Sequence, residues 1–599
     1  MQIRVGERGD SAQQEHTQNK MIKIEETIKK IIESAVSHSK IKLEKFSIEH
    51  PVDLVHGDYS TNVALVIAKQ LQTAPQTVAK LLVEKINQKL PAEIGEVTVA
   101  GPGFINFKLT PEFFRKSVSE ILDKEQDFGK NKNHKGERVL IEYTDPNPFK
   151  QFHIGHLMAN TIGEVVSRLY VWSGAKVTRA CYQGDVGLHI AKSLWGILQT
   201  AEDFPEENAP LTVKTKYLGD AYVLGSSRYE EDEKAKSEID VINKKVYDFF
   251  DEKVTTDPEL ERIYTVGKKW SLQHFDEIYA KLGTHFDNFI FESSVAENAL
   301  KIVRENIGKV FEEGDGGAII YRGEQDGLHT RVFINKLGIP TYDAKDIGLA
   351  YMKDRMFRYD KSIVVTASEQ QEYYKVVLAA LAKIYPKIAQ KTTHVTHGML
   401  QFASGKMSSR KGNVITGESL LLDLEQVVGE KIADREFTDA EKDELKTIVA
   451  VAALKYSVLK QSPGKNIIFD MEKAISFEGD SGPYLQYSYI RAKSVLEMAT
   501  KAKIIPNPKK IPAGWQTCVL EKMLYRFPEV VEKALDEMAP QNLVTYTTQI
   551  ASEFNSFYAN NQILDGSDSE GYKLAIVRAT MNVIVNALNI IGVKVPVRM

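Results

Sequence analysis

Hydrophobic and polar positions change period several times along the chain, and each change predicts an element. Val139-Leu140-Ile141 is a continuous apolar run with the β-branched content of a strand buried on both faces of a parallel sheet. A polar, proline-broken segment from Glu142 to Lys150 follows. Leu157, Ile162, Val165, Val166 and Leu169 then recur at helical spacing. Lys176–Cys181 reads as a second strand running into Gly184-Asp185-Val186-Gly187. Strand, helix and strand with a glycine-rich end open a doubly wound parallel α/β sheet of Rossmann type, whose ligands sit at the strand C-termini. Residues 193–322 are mainly helical in pattern and strongly charged, as in Tyr229-Glu230-Glu231-Asp232-Glu233-Lys234, which predicts a solvated helical insertion. Strand-like sequence resumes at Gly316–Tyr321, Thr330–Ile334 and Ile363-Val364-Val365, with a helical period from Tyr373 to Ile384. These pieces are expected to complete the same sheet.

Patterns on either side predict further domains. Residues 21–125 read as a small α/β unit with a helix near Ile22–Val36, another over Val63–Leu71, and a third opened by Pro75. The unit closes with Val97–Ala100, the turn Gly101-Pro102-Gly103 and the alternating strand Phe104-Ile105-Asn106-Phe107. Residues 126–424 form the expected catalytic domain, and 425–599 a helical C-terminal region. Residues 1–20 are polar without an apolar stretch, so they read as a disordered leader or an addition ahead of Met21 rather than a signal peptide.

Composition narrows the function only slightly. At 599 residues, three or four domains are expected by length, roughly. No apolar run approaches membrane-spanning length, and 43% hydrophobic with 26% charged residues suits a cytoplasmic protein. The two cysteines, Cys181 and Cys518, cannot build a Cys₄ zinc site or a disulfide framework, so no metal site is expected. A net charge of −4 gives no global attraction to nucleic acid, which leaves local patches to do any such binding.

The chemistry concentrates at His153-Ile154-Gly155-His156, where the predicted strand turns into a helix. Main-chain N–H groups and the helix dipole favour an anion there, two imidazoles can donate to a phosphate, and Gly155 lets a flat base approach the backbone. With 13 histidines and 38 glycines in the chain, on the order of 0.02 such matches are expected by chance. The second motif is Gly405-Lys406-Met407-Ser408-Ser409-Arg410-Lys411-Gly412-Asn413, a small, polar, cationic loop suited to closing on a polyphosphate. Alone it would read as a solvated loop. Glu142, Asp145 and Asn147 before the histidines, and Tyr342, Asp346 and Gln370 in the second half, place carboxylates and polar groups where a cationic side chain would be selected; a guanidinium matches them in fork geometry.

Together the two motifs resemble the paired signatures of class I aminoacyl-tRNA synthetases. From Met21 onward the chain is similar to the arginyl-tRNA synthetases. The resemblance rests on Pro146-Asn147 through Lys150 to His156, on Tyr342, Asp346 and Gln370, and on Gly57-Asp58-Tyr59 and Gly101–Phe107 in the N-terminal unit. It extends to Phe477–Tyr487, Phe554-Asn555-Ser556-Phe557-Tyr558 and the ending Val595–Met599. It implies ATP-dependent ligation of L-arginine to tRNA(Arg) through an arginyl-adenylate, with ATP and Mg²⁺, in a monomer.

The implied roles follow the motifs. His153, His156, Lys150 and Lys406 would be catalytic. His153, Gly155, His156, Lys406, Met407, Ser408, Ser409 and Arg410 would bind ATP. Glu142, Asp145, Asn147, His153, Tyr342, Asp346 and Gln370 would bind arginine. Phe104 and Asn106 in the N-terminal unit, with Tyr484, Tyr487, Asn555, Tyr558 and Met599, would contact tRNA. Ser409 stands where the class I loop carries its second lysine, and Lys150 matches the lysine that arginyl enzymes keep before the first signature; which cation serves the α-phosphate stays open. On residue type alone the helical tyrosines read equally as packing residues. Another class I synthetase and a non-catalytic tRNA-binding paralogue are the alternatives, the latter opposed by intact His153, His156 and Lys406.

Overall fold

The computed structural model describes residues 23–37, 42–250, 254–403 and 416–599. The leader and the loop residues Lys406, Met407, Ser408, Ser409 and Arg410 lie outside them. The chain forms two compact units, one running to Ser117 and including 508–522, the other comprising 118–507 and 523–599.

In the first unit, helix Ile24–Val36 buries Ile24, Ile28, Ile32 and Val36, one residue per turn. A four-stranded antiparallel sheet runs in the order Ile48–Glu49, Tyr59–Thr61, Phe104–Leu109, Ile94–Ala100. Helices Val63–Leu71 and Pro75–Asn87 complete it. Gly103 turns the last hairpin at φ 130°, where a Cβ would lie 2.7 Å from Pro75 Cβ, so only glycine fits.

The second unit is built on a five-stranded parallel sheet, ordered Thr392–His397, Lys361–Ala367, Arg138–Glu142, Lys176–Gln183, Asn288–Phe291. Arg138–Glu142 sits at its centre with Val139, Leu140 and Ile141 fully buried, as its unbroken apolar run demands. Helix Ile154–Trp172 follows it and is buried on most sides. Helices Leu211–Glu231, Glu233–Asp248 and Pro258–Leu282 come next. The edge strand Asn288–Phe291 lies inside the range whose pattern is mainly helical, and it pairs with Lys176–Gln183.

One expectation is corrected. Ile319–Tyr321 and Arg331–Ile334 are strands but do not join the parallel sheet; with Glu312–Glu313 they make a separate three-stranded antiparallel sheet. Periodicity reports that a segment is extended and one face is buried, not which partner covers it. This small sheet leads directly into helix Tyr342–Phe357, and only the strands Lys361–Ala367 and Thr392–His397 complete the parallel sheet.

The rest of the second unit is mainly helical: Gly417–Lys431, Asp439–Leu459, Gly482–Lys501, Phe527–Asp536, Gln541–Asn560 and Glu570–Ile590. Among the described residues no helix is long and apolar enough to cross a membrane.

Candidate active site

His153 is the N-cap of helix Ile154–Trp172 and closes a capping box with His156. The His156 N–H donates to His153 Nδ1 at 3.3 Å and the His153 N–H to His156 Nδ1 at 3.2 Å. Both Nδ1 atoms are therefore acceptors, and each neutral ring carries its proton on Nε2. The rings stack with centroids 3.4 Å apart. Burial pushes His156 well below the usual histidine range and, with the charge of Lys150, lowers His153. Two neutral imidazoles thus present Nε2–H donors at a helix N-terminus, which favours an anion without a competing cation. A Cβ on Gly155 would lie 3.0 Å from His153 Cε1 and Nδ1, so glycine here keeps that ring in place.

The segment between strand and helix is strained. Thr144, Asp145 and Phe149 have φ of 82°, 49° and 66°, costly for a β-branched residue above all. Hydrogen bonds hold it. The N–H groups of Tyr182 and Gly184, on the neighbouring strand end, donate to Asp145 Oδ1 at 2.7 Å and Asn147 Oδ1 at 2.9 Å. Phe149 N–H donates to Ser271 Oγ at 2.9 Å.

These groups open onto a cleft of about 550 Å³ at the C-terminal ends of the parallel strands, the expected ligand site of such a sheet. Glu142, Asp145, Asn147, His153, Gly155, His156, Tyr342, Asp346 and Gln370 all line it. Lys150 does not; its ammonium lies over the Tyr222 ring, 5.3 Å from the centroid.

The carboxylates around the cleft divide into paired and unpaired. Lys353 Nζ donates to buried Glu142 at 2.6 Å. Lys345 pairs with buried Glu292, and Arg331 with Asp343. Asp145 and Asp346 have no ion-pair partner among the described residues. Asp346 accepts from the Tyr373 hydroxyl, yet burial raises its carboxyl to about 7. Asp145 is raised well above the usual range, first by burial and then by the charge of Glu142. Two acidic groups held in one cleft without a cation among the described residues attract a cationic ligand.

Sequence reasoning missed other lining residues: Tyr182, Glu292, Arg331, Thr366, Tyr374 and His397. Tyr182 has a buried hydroxyl with no hydrogen-bond partner among the described residues. His397 Nδ1 meets the Gly398 carbonyl at 2.8 Å, so it donates and leaves Nε2 an acceptor. Tyr182 and His397 lie at C-terminal ends of parallel strands, a position that could have singled them out. Arg331 and Glu292 come from elements whose placement the pattern did not show.

In the helical part, Tyr484, Tyr487, Asn555 and Met599 share a pocket of about 370 Å³ with Arg491 and Phe437. Asn555 Nδ2 donates to the Tyr484 hydroxyl at 3.0 Å and to Ser488 Oγ at 2.9 Å, while its Oδ1 accepts from Arg491. The Arg491 guanidinium lies 4.7 Å from the Tyr487 ring centroid and 5.1 Å from that of Tyr558, which does not line the pocket. In the first unit Phe104 is partly exposed, whereas Asn106 is buried and accepts from Ser60 Oγ at 2.8 Å.

A doubly wound sheet that sets two neutral histidines at a helix N-terminus beside a carboxylate-lined cleft is the catalytic architecture of a class I aminoacyl-tRNA synthetase. The chain matches the family described as tRNA synthetases class I (R), catalytic domain, over residues 117–471. It also matches the arginyl tRNA synthetase N terminal domain over 23–109 and the DALR anticodon binding domain over 485–599. It is 30% identical over 552 residues to an arginine–tRNA ligase of Clostridium acetobutylicum, covering 92% of this chain and 95% of the relative. An arginine–tRNA ligase of Clostridium perfringens is 29% identical over 580 residues, with 95% and 99% covered. In fold it is similar to arginyl-tRNA synthetases of Thermus thermophilus and Plasmodium falciparum, each with a TM-score of 0.76, at 21% and 20% identity. Those structures cover 96% of this chain, which spans 100% and 99% of theirs. The chain belongs to the arginyl-tRNA synthetase family, class I enzymes that join arginine to tRNA.

Proposed function

We propose that the cleft seats arginine with its guanidinium against Asp346 and Asp145, and that the rest of the unit aligns ATP against the arginine carboxylate. The observation that carries this reading is the absence of a cationic partner for those two half-buried acids among the described residues, in a site where Glu142, Glu292 and Asp343 each have one. Asn147, Tyr342 and Gln370, on three further parts of the rim, hold the amino-acid backbone and the side-chain stem, and Glu142 shapes the site through Lys353.

In adenylation an arginine carboxylate oxygen attacks the α-phosphorus in line and pyrophosphate leaves. No covalent protein intermediate is required, so the protein's work is positioning and charge stabilisation. His153 and His156 donate through Nε2–H to the α-phosphate as its charge grows. Lys150 and Lys406, with Met407, Ser408, Ser409 and Arg410, serve ATP. Magnesium would enter with ATP, since Mg²⁺ commonly takes most of its ligands from phosphate and water. The terminal ribose 2′-hydroxyl of tRNA then attacks the adenylate carbonyl. The Tyr484–Tyr487–Asn555–Met599 pocket, with Tyr558, receives anticodon bases by stacking, and the N-terminal unit, through Phe104 and Asn106, touches the body of the tRNA. A cytoplasmic monomer suffices for these steps.

The test is ATP–pyrophosphate exchange against a panel of amino acids, with and without total tRNA. Exchange driven by arginine alone supports the reading. Exchange driven equally by lysine or citrulline would refute it.

A further inference from the structure

Two cations outside the cleft grip the same two helix ends. Lys455, fully buried on helix Asp439–Leu459, has no carboxylate partner within ion-pair distance among the described residues; its Nζ donates to the Leu282 and Gly592 carbonyls, each at 2.7 Å. Arg168 donates to the Gly283 carbonyl at 3.1 Å and to the Asn589 carbonyl at 2.8 Å. Leu282–Gly283 ends helix Pro258–Leu282, and Asn589–Gly592 ends the last helix, Glu570–Ile590. Both are helix C-termini, where unsatisfied carbonyls and the dipole favour a cation. Burial, with the Arg168 charge adding to it, brings Lys455 down to about 7, so its ammonium depends on those carbonyls.

The grip continues to the cleft by two routes. Arg168 Nε donates to buried Glu164 at 2.6 Å, and the same carboxylate accepts from the Tyr143 hydroxyl at 2.7 Å and from Arg179 Nε at 3.0 Å. The turn after Gly283 supplies the second route: Thr284 Oγ1 donates to Asn160 Oδ1 at 2.9 Å, and Asn160 Nδ2 donates to Thr144 Oγ1 at 3.1 Å. Tyr143 and Thr144 begin the strained stretch that carries Asp145 and Asn147. A residue held at φ 82° stays there only while its surroundings over-determine it, and these two routes supply that constraint.

We propose that Arg168, Lys455, Glu164 and Asn160 are positioning residues that couple the end of the last helix to the strained segment Tyr143–Asp145, and so set the arginine subsite from outside the cleft. The proposal rests on the reading of that cleft as the arginine site. Gly592 is its remote handle: it lines no part of the cleft, and a Cβ there, at φ 69°, would lie 2.8 Å from Lys455 Nζ and 3.5 Å from Arg168 Nε.

The experiment measures KM for arginine and for ATP separately in pyrophosphate exchange, and arginine Kd by calorimetry, on full-length Gly592→Ala, Arg168→Lys and the double variant, each checked by its melting curve. Lys455→Met joins the set if it folds. Arginine KM and Kd are expected to rise roughly three- to thirty-fold while ATP KM stays within about two-fold, and the double variant is expected to be non-additive. Unchanged arginine constants in folded variants overturn the proposal, as does an equal rise in both KM values, the mark of a merely loosened structure. A wild-type chain that neither binds nor exchanges arginine overturns the reading of the cleft and this proposal with it; active wild type with unaffected variants overturns this proposal alone.

Discussion

Replacing Asp346 by asparagine keeps shape and keeps an acceptor for the Tyr373 hydroxyl, but removes the charge. Losing one partner of a buried charge pair costs roughly 3–5 kcal/mol, so arginine KM should rise by about two to four orders of magnitude. Uncharged citrulline should lose far less. The free carboxyl titrates at about 7 because burial disfavours its charge; a guanidinium beside it favours the charge and lowers that value in the complex. Binding below pH 7 therefore releases up to one proton, and arginine affinity should fall by up to about tenfold per pH unit on acidification, levelling off above about pH 8. The variant should lack that slope. Stability supplies a second sign. A carboxyl raised in the folded state contributes stability that is present below its unfolded pKa and lost as pH rises toward the folded one. The rise from 3.8 to about 7 corresponds to about 4 kcal/mol, so the arginine-free variant should melt higher than wild type above pH 7. Calorimetric titration in two buffers of different ionisation enthalpy, with melting curves at pH 6 and 8, measures all of this. Wild-type arginine affinity in the variant would show that the guanidinium is read elsewhere.

Other consequences follow from the same geometry. His156→Ala should lower exchange kcat by roughly 3–4 kcal/mol of transition-state stabilisation with a near-native melting temperature; unchanged exchange kinetics would remove it from the chemistry. Gly155→Ala, which drives a methyl against the His153 ring at 3.0 Å, should lower exchange kcat while leaving arginine Kd within about two-fold, the range of a displaced phosphate donor without a changed amino-acid site. Tyr484→Ala and deletion of Met599 should raise KM for tRNA in charging by roughly 1–3 kcal/mol equivalents per lost base contact and leave arginine affinity alone; equal charging KM would mark both as packing residues.

Some of this site could be read before any coordinates because its signals are local. Val139–Ile141 and Ile363–Val365 are unbroken apolar runs, and only strands buried on both faces tolerate that pattern over so few residues. The His153–His156 capping arrangement lies within four consecutive residues, and Tyr342 and Asp346 share a helix face through their spacing. The pairing of charges was not legible. Helix Tyr342–Phe357 carries Asp343, Lys345, Asp346 and Lys353, and spacing gives no reason for Lys345 to choose Glu292 rather than Asp346, or for Lys353 to take Glu142. Those choices depend on which elements converge. The same limit hid the small antiparallel sheet and the strand Asn288–Phe291, whose four residues carry too short a pattern to stand out among helices.

The unpaired acids also explain why the site need not be generous to other amino acids. A fold that buries or half-buries six carboxylates near one cleft and its flank satisfies Glu142 with Lys353, Glu292 with Lys345, Asp343 with Arg331 and Asp185 with Lys268. Leaving Asp145 and Asp346 without cations among the described residues, beside Thr144 and Asp145 at positive φ, costs stability in the free protein. With arginine seated as proposed, that cost would be the source of selectivity. An apolar or neutral side chain leaves both acids desolvated and either protonated or unpaired, whereas a delocalised guanidinium with five donors can answer two carboxylates at once. A lysine ammonium supplies charge but no fork, so it can satisfy one acid well and the other poorly. Rejection built from unmet polar groups can reach four to five orders of magnitude without a separate editing step, which accords with a catalytic unit whose inserted residues are chiefly helices Leu211–Glu231, Glu233–Asp248 and Pro258–Leu282.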